Sequence, residues 1–389
     1  MTLEVVSLGC RLNLAESETL RGMLAGEQDL VVVNSCAVTA EAVRQTRQAI
    51  RRIRQARPDA RLLVTGCAAE VERGALAAMP EVDGLVANAV KLDPRAWNVP
   101  ARPWQAPQHH SRAFVAVQNG CDHACTFCVI PEGRGPSRSL PVAAVLREVE
   151  RHLTSGAREV VLTGVDLTGW GRDLGEPRLG TLVAAILVEF PALERLRLSS
   201  LDGIEIDPAL FELLAGELRV MPHVHLSLQH GDDLILKRMK RRHLRADAEA
   251  LVGSLRARRP EIAIGADLIA GFPTESEAAH AANLSIIAEL GVVHGHVFPY
   301  SIRPGTPAAR MPQLAPATIK ARASQLHSAV AGPRREWLSS LLGNPQQVLA
   351  ERDGTGHAAN FARVRLGPVI EPGNIVTVTP TAIVEGLLA

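Results

Sequence analysis

Lysine is nearly missing from this 389-residue chain: Lys91, Lys237, Lys240 and Lys320 are the only four among 42 basic residues, which leaves 38 arginines. Aromatic side chains make up 3% of the sequence, and Tyr300 is the only tyrosine. Stacking platforms for flat ligands are therefore few, with Phe361 one candidate near the carboxyl end. No apolar run approaches the roughly 18 residues that span a bilayer, which excludes a transmembrane helix. The opening residues lack the basic segment, apolar stretch and cleavage site of a signal peptide, so the expectation is a cytoplasmic protein. Charge of neither sign dominates, and the net of +1 carries no message as a total. Arginine suits phosphate because its planar fork donates two parallel hydrogen bonds. A genome rich in G and C gives the same bias without meaning, so only local clusters count.

What is present describes a globular chain, 47% hydrophobic and 21% charged. Its length exceeds what one hydrophobic core serves, and two or three domains are expected. All six cysteines, Cys10, Cys36, Cys67, Cys121, Cys125 and Cys128, fall in the first third. In a reducing compartment an even count does not argue for disulfides.

Residues 1–97 alternate strand and helix, with strands expected at 4–8, 30–34 and 61–65, and this alternation implies a parallel sheet. The first three cysteines each come one or two residues after a strand, at spacings of 26 and 31 residues, about one βα unit each. Strand carboxyl ends in such a sheet share one edge, so three distant cysteines converge there. Residues 98–112 are proline-rich and aperiodic, a linker in which His109 and His110 read as solvated. From 113 to 342 the rhythm resumes, with strands expected at 113–117, 159–163, 195–199, 223–228, 262–267 and 293–299. Six units make a partial (βα)6 barrel with its site at the strand carboxyl ends. The tail, 343–389, has strand-like runs at 347–350, 362–366 and 375–378 and reads as a small β-barrel.

Cys121, Cys125 and Cys128, spaced C-x3-C-x2-C just after a strand, put three thiolates on one tight loop. A cubane cluster has four irons, so three cysteines leave one iron open. A structural zinc would want four ligands. His123 is the only nearby fourth and sits poorly between the cysteines. Cys10, Cys36 and Cys67 again number three, which suggests a second cluster with an open iron.

The C-x3-C-x2-C loop resembles that of the radical S-adenosylmethionine superfamily. With Gly9-Cys-Arg-Leu-Asn13 and Asn34-Ser-Cys-Ala-Val-Thr39, nearly the whole chain is similar to the methylthiotransferases. The resemblance implies an α/β N-terminal domain with an auxiliary cluster, a radical domain and a C-terminal RNA-binding TRAM barrel. It implies two 4Fe-4S clusters, S-adenosylmethionine, and a reductant such as flavodoxin or ferredoxin. It further implies a 5′-deoxyadenosyl radical, made at Cys121, Cys125 and Cys128, that takes hydrogen from the substrate. Gly9–Asn13, Asn34–Glu41 and Gly133-Arg-Gly-Pro-Ser-Arg138 are similar to the branch that methylthiolates C2 of N6-threonylcarbamoyladenosine at position 37, in the anticodon loop of tRNA. The same chemistry on isopentenyladenosine, or on an aspartate of a ribosomal protein, is the alternative. A zinc- and RNA-binding module without catalysis is the remote one.

The resemblance draws Asp166, Ser199 and Gln229, each at or just beyond a strand end, toward the cofactor. Phe127, inside the loop, reads as packing beside the adenine or shielding the cluster. Arg134, Arg138, Arg303 and the basic run 237–242 are candidate contacts to the RNA backbone. His223 with His225, and His294 with His296, alternate on strands and read as filling the barrel interior rather than binding metal. Glu132 and His230-Gly-Asp232 depart from the family pattern and bear on substrate docking.

Overall fold

The computed structural model describes residues 3–101, 111–175, 178–367 and 370–389. His109, His110 and most of the expected linker lie outside the described residues. Among those described, no helix is long and apolar enough to cross a membrane.

The first unit is a parallel sheet of β1 (Glu4–Ser7), β2 (Leu30–Ser35), β3 (Arg61–Gly66) and β4 (Gly84–Leu85), in that order. Val31 and Val33 of β2 and Leu62 and Val64 of β3 join one buried cluster, while Val32 and Leu63 join another on the opposite face. A strand buried on both faces reads as a continuous apolar run, which is why Val31-Val32-Val33 carries no alternation. Helix α1 (Arg11–Met23) follows β1, α2 (Ala40–Ala56) follows β2 and α3 (Cys67–Val71) follows β3. Thr39 caps α2 by accepting from the Ala42 N–H, and Val43, Thr46 and Ile50 face the sheet.

The second unit has six parallel strands. Strands β5 (Ala113–Ala116), β6 (Glu159–Thr163) and β7 (Arg195–Leu198) form one ladder, and β8 (His223–Gln229), β9 (Ala263–Ala270) and β10 (Val292–Pro299) another. Parallel bridges Leu196–Val220 and Leu201–Leu226 join the two into a half-barrel. The largest apolar cluster of the molecule lies between these strands and their helices. The basic run is helical only at its start, within the helix Asp233–Arg238. The cysteine loop ends it, because Thr126 donates its N–H to the Met239 carbonyl and its hydroxyl to that of Arg238. Lys240 then takes a left-handed φ of +58°, which turns Arg241 back toward the loop.

A 25-residue helix, Pro316–Ser340, leads to a six-stranded C-terminal sheet. Strands Thr355–Ala358, Ile383–Val384 and Leu387–Leu388 lie there beyond the three runs expected from sequence. This sheet docks on the amino ends of the half-barrel strands. Arg197 donates to the Ala358 and Ala359 carbonyls, Arg195 to that of Gln347, and both are held by Glu159. Phe361 enters the barrel base and stacks on His223, with ring centres 4.8 Å apart.

Candidate functional site

Cys10 caps α1, Cys36 follows β2 directly and Cys67 opens α3, so the three stand at the carboxyl ends of adjacent parallel strands. Gly9 permits the approach. Its φ is +97°, and a Cβ there would stand 2.5 Å from the Cys36 Cβ. Cys10 is exposed, whereas Cys36 and Cys67 are buried. Burial pushes the Cys36 thiol up to about 11 and raises Cys67 as well.

In the second set each sulfur faces an N–H. His123 N lies 3.4 Å from Cys121 Sγ, Ile130 N lies 3.4 Å from Cys128 Sγ, and Arg241 Nη1 lies 3.7 Å from Cys125 Sγ. Burial pushes Cys121 up to about 12 and Cys128 to about 11. Such thiols stay protonated near neutrality until a metal replaces the proton. Three sulfurs on one loop, each with a donor that stabilises the thiolate, fit a cubane cluster with one iron left open. Phe127 packs edge-on against Phe272, at 6.3 Å between ring centres, and joins the cluster of Ile235, Met239 and Tyr300.

The two sets adjoin. Helix Ile130–Arg134, which follows Cys128, packs against α3, and a Cβ added to Gly133 would stand 3.2 Å from the Cys67 Cβ. Cys67 is close enough to Cys128 to help raise its thiol.

Asp166 comes to the loop: its Oδ2 lies 3.1 Å from His123 Nε2, and the ligand atoms of Cys121, His123 and Asp166 lie within 4.8 Å of one another. Ser199 follows β7, buried, with an Oγ that has no partner. Gln229 ends β8 at a left-handed φ of +69°. The three occupy the carboxyl ends of adjacent strands, on the rim that carries the cysteine loop. Among the described residues no hydrogen bond joins Ser199 or Gln229 to the cysteines.

Arg134 and Arg303 are not free for RNA. Arg134 is 4% exposed and donates to Glu16, Asn13 and Asn119. Arg303 is 3% exposed and pairs with Glu72 at 3.3 Å. Arg138 is exposed. The basic run divides: Arg241 binds Asp202 at 2.8 Å, Arg242 pairs with Glu205, and Lys237 and Lys240 face solvent. Sequence reasoning named Arg241 only within the basic run and missed Asp202 and Glu205, because what marks them is a neighbour more than 30 residues away.

It also missed a groove of about 600 Å³ between α2 and the 301–304 loop, lined by Arg44, Arg47, Arg51, Arg303 and Glu72. Arg44, Arg47 and Arg51 recur at three and four residues along one face of α2. Ser301 ties the loop to the start of α2, its Oγ accepting from the Ala40 N–H at 2.8 Å.

Residues 115–284 match the Radical SAM superfamily, and residues 2–87 match the uncharacterized protein family UPF0004. The threonylcarbamoyladenosine tRNA methylthiotransferase MtaB of Rickettsia prowazekii is 41% identical, across 99% of this chain and 96% of that protein. The chain belongs to the radical S-adenosylmethionine methylthiotransferases. MtaB of Aquifex aeolicus is 34% identical over 81% of this chain and 84% of its own. The tRNA-2-methylthio-N(6)-dimethylallyladenosine synthase of Cereibacter sphaeroides is 32% identical over 97% and 95%. A solved structure of the radical S-adenosylmethionine methyltransferase TsrM from Kitasatospora setae, with a [4Fe-4S] cluster bound, shares the fold. The TM-score is 0.54 at 19% identity, over 76% of this chain and 68% of that one. As a methylthiotransferase of this family the chain uses S-adenosylmethionine and two 4Fe-4S clusters.

Proposed function

We propose that this methylthiotransferase places a methylthio group on C2 of N6-threonylcarbamoyladenosine at position 37 of tRNA. The observation that carries the reading is the juxtaposition of the two cysteine sets, Cys10, Cys36 and Cys67 beside Cys121, Cys125 and Cys128. One set supplies a radical and the other sulfur, so a single substrate atom must be within reach of both. Cys121, Cys125 and Cys128 would hold the group that supplies reductive cleavage of S-adenosylmethionine, and Cys10, Cys36 and Cys67 the one that supplies the sulfur. The chain's own residues hold and orient. Asp166, Ser199 and Gln229 line the rim where the cofactor would lie, and the unpartnered Ser199 Oγ is a donor waiting for it. The relatives' names support this substrate: three that match at 33% identity or more are named for this nucleoside in tRNA.

The rest of the reading follows the same division of labour. Residues 1–97 form the auxiliary-cluster domain, 113–342 the radical domain and 343–389 a TRAM-like RNA-binding barrel. Arg138 and the α2 groove with Arg44, Arg47 and Arg51 would meet the RNA backbone. A cytoplasmic reductant such as flavodoxin or ferredoxin would supply electrons. One finding favours a second reading, dimethylallyladenosine as substrate: a synthase named for that nucleoside matches over 97% of this chain. Mass spectrometry of tRNA nucleosides from a deletion strain separates them. Loss of the methylthio form of threonylcarbamoyladenosine alone is expected. An unchanged level of it would refute the proposal.

A further inference from the structure

Arg11 follows Cys10 directly, yet its side chain lies inside the half-barrel, with the guanidinium carbon 5.4 Å from the centre of the Phe361 ring. Arg112 and Arg197 approach the same ring at 5.6 Å and 5.1 Å. The carboxylates facing this space are all engaged. Asp267 Oδ1 meets His225 Nε2 at 3.0 Å and His296 Nδ1 at 3.2 Å. Glu159 holds Arg197 and Arg195, at 2.7 Å and 3.6 Å. Glu351 holds Arg112 at 2.7 Å and His357 at 3.2 Å. Arg11 alone of these cations has neither hydrogen bond nor ion pair among the described residues. It is only half-buried, and none of its nitrogens is sealed from solvent.

A partly buried guanidinium with no ion pair of its own, only the charges of Asp267 and Glu159 nearby, is costly to fold around, and its planar fork matches a carboxylate. Arginine keeps its charge at neutral pH. The geometry points to Arg11 as the residue that reads a carboxylate on the substrate. Resting on the tRNA reading above, that group is the carboxylate of the threonyl substituent on the modified adenosine. An apolar dimethylallyl substituent in its place would leave Arg11 unpaired, so one residue both accepts one nucleoside and rejects the other. The sequence already puts Arg11 next to a cluster cysteine. Reading the substituent from there would hold the base in register with the sulfur source.

The test uses the reconstituted holoenzyme and two fluorescent anticodon stem-loops, one with the threonylcarbamoyl acid and one with its carboxamide. Affinity is read by anisotropy, and iron per chain is measured for every variant. Wild type is expected to bind the acid at least about tenfold tighter than the amide. Arg11→Gln should bind both at the amide level with its iron retained, and Arg11→Lys should recover part of the preference. Equal binding of acid and amide by wild type, while it still methylthiolates the acid stem-loop, would overturn the assignment and spare the functional reading. A preference retained in Arg11→Gln would overturn it too. Failure of wild type to modify the acid stem-loop would sink the functional reading and this assignment with it.

Discussion

Arg134, on the helix that follows Cys128, donates from Nη1 to Glu16 Oε1 at 2.9 Å, on the helix that follows Cys10. Lys91 reaches the other oxygen of the same carboxylate at 2.5 Å, and all three side chains are essentially sealed from water. The pair ties the two cysteine sets together. The neighbouring cations hold Glu16 below the usual carboxylate range against its burial, and the Glu16 charge lifts Arg134 above the ordinary arginine value. Removing one partner of a buried pair leaves an unmatched charge.

Arg134→Gln should therefore lower the first unfolding midpoint of the anaerobic holoenzyme, by an amount equivalent to about 3 kcal/mol. It should leave the salt dependence of tRNA binding unchanged, because the side chain is not at the surface. A change in salt slope without loss of stability would mean that Arg134 does reach RNA.

The α2 groove gives the opposite signature. Arg44 and Arg51 are more than half exposed, and their pairs with Glu41 and Glu81 are surface pairs that yield readily to a phosphate. Replacing Arg44, Arg47 and Arg51 together with Gln should weaken stem-loop binding and reduce the slope of log K against log salt by about two to three. Titration at several KCl concentrations measures it, and stability should barely move.

Acid should weaken the fold through histidines rather than carboxylates in one window. Burial lowers His152 to about 4, His294 to about 3 and His223 well below its ordinary value. The unfolded chain takes up protons below about 6.5 while these folded rings stay neutral. Their contribution is thus complete above about 6.5 and shrinks as pH falls toward 4, on the order of 2 kcal/mol each for His152 and His294. Thermal scans between pH 7.5 and 5 should show a falling midpoint, and His294→Gln should flatten that fall.

Iron and sulfide per chain count the clusters. The wild-type protein should carry about eight irons, and Cys10→Ala about four. An unchanged count in the variant would remove Cys10 from the ligand set. A colourless wild-type protein with about one zinc would deny the chemistry altogether.

Much of this was legible in the residues. Cysteines one or two positions past a strand, spaced one βα unit apart, had to collect at one sheet edge, and Cys10, Cys36 and Cys67 do. The six barrel strands begin and end within about three residues of the expected bounds, because apolar runs of that length have few other readings. Arginine was not legible. Arg134, Arg303 and Arg138 look alike in sequence, and only the fold decides which meets Glu16, which meets Glu72 and which meets water. The short C-terminal strands escaped because Thr355–Ala358 carries Gly356 and the last two have two residues each, too few to show a period.

In the proposed function the two cysteine sets serve one substrate, the threonylcarbamoyl nucleoside. The most direct test incubates the reconstituted enzyme, S-adenosylmethionine and a reductant with two anticodon stem-loops, one bearing threonylcarbamoyladenosine and one dimethylallyladenosine, followed by nucleoside mass spectrometry. A methylthio product is expected from the first alone, absent in both Cys10→Ala and Cys125→Ala. Product from the dimethylallyl stem-loop alone, or product that survives loss of either cysteine, would contradict it.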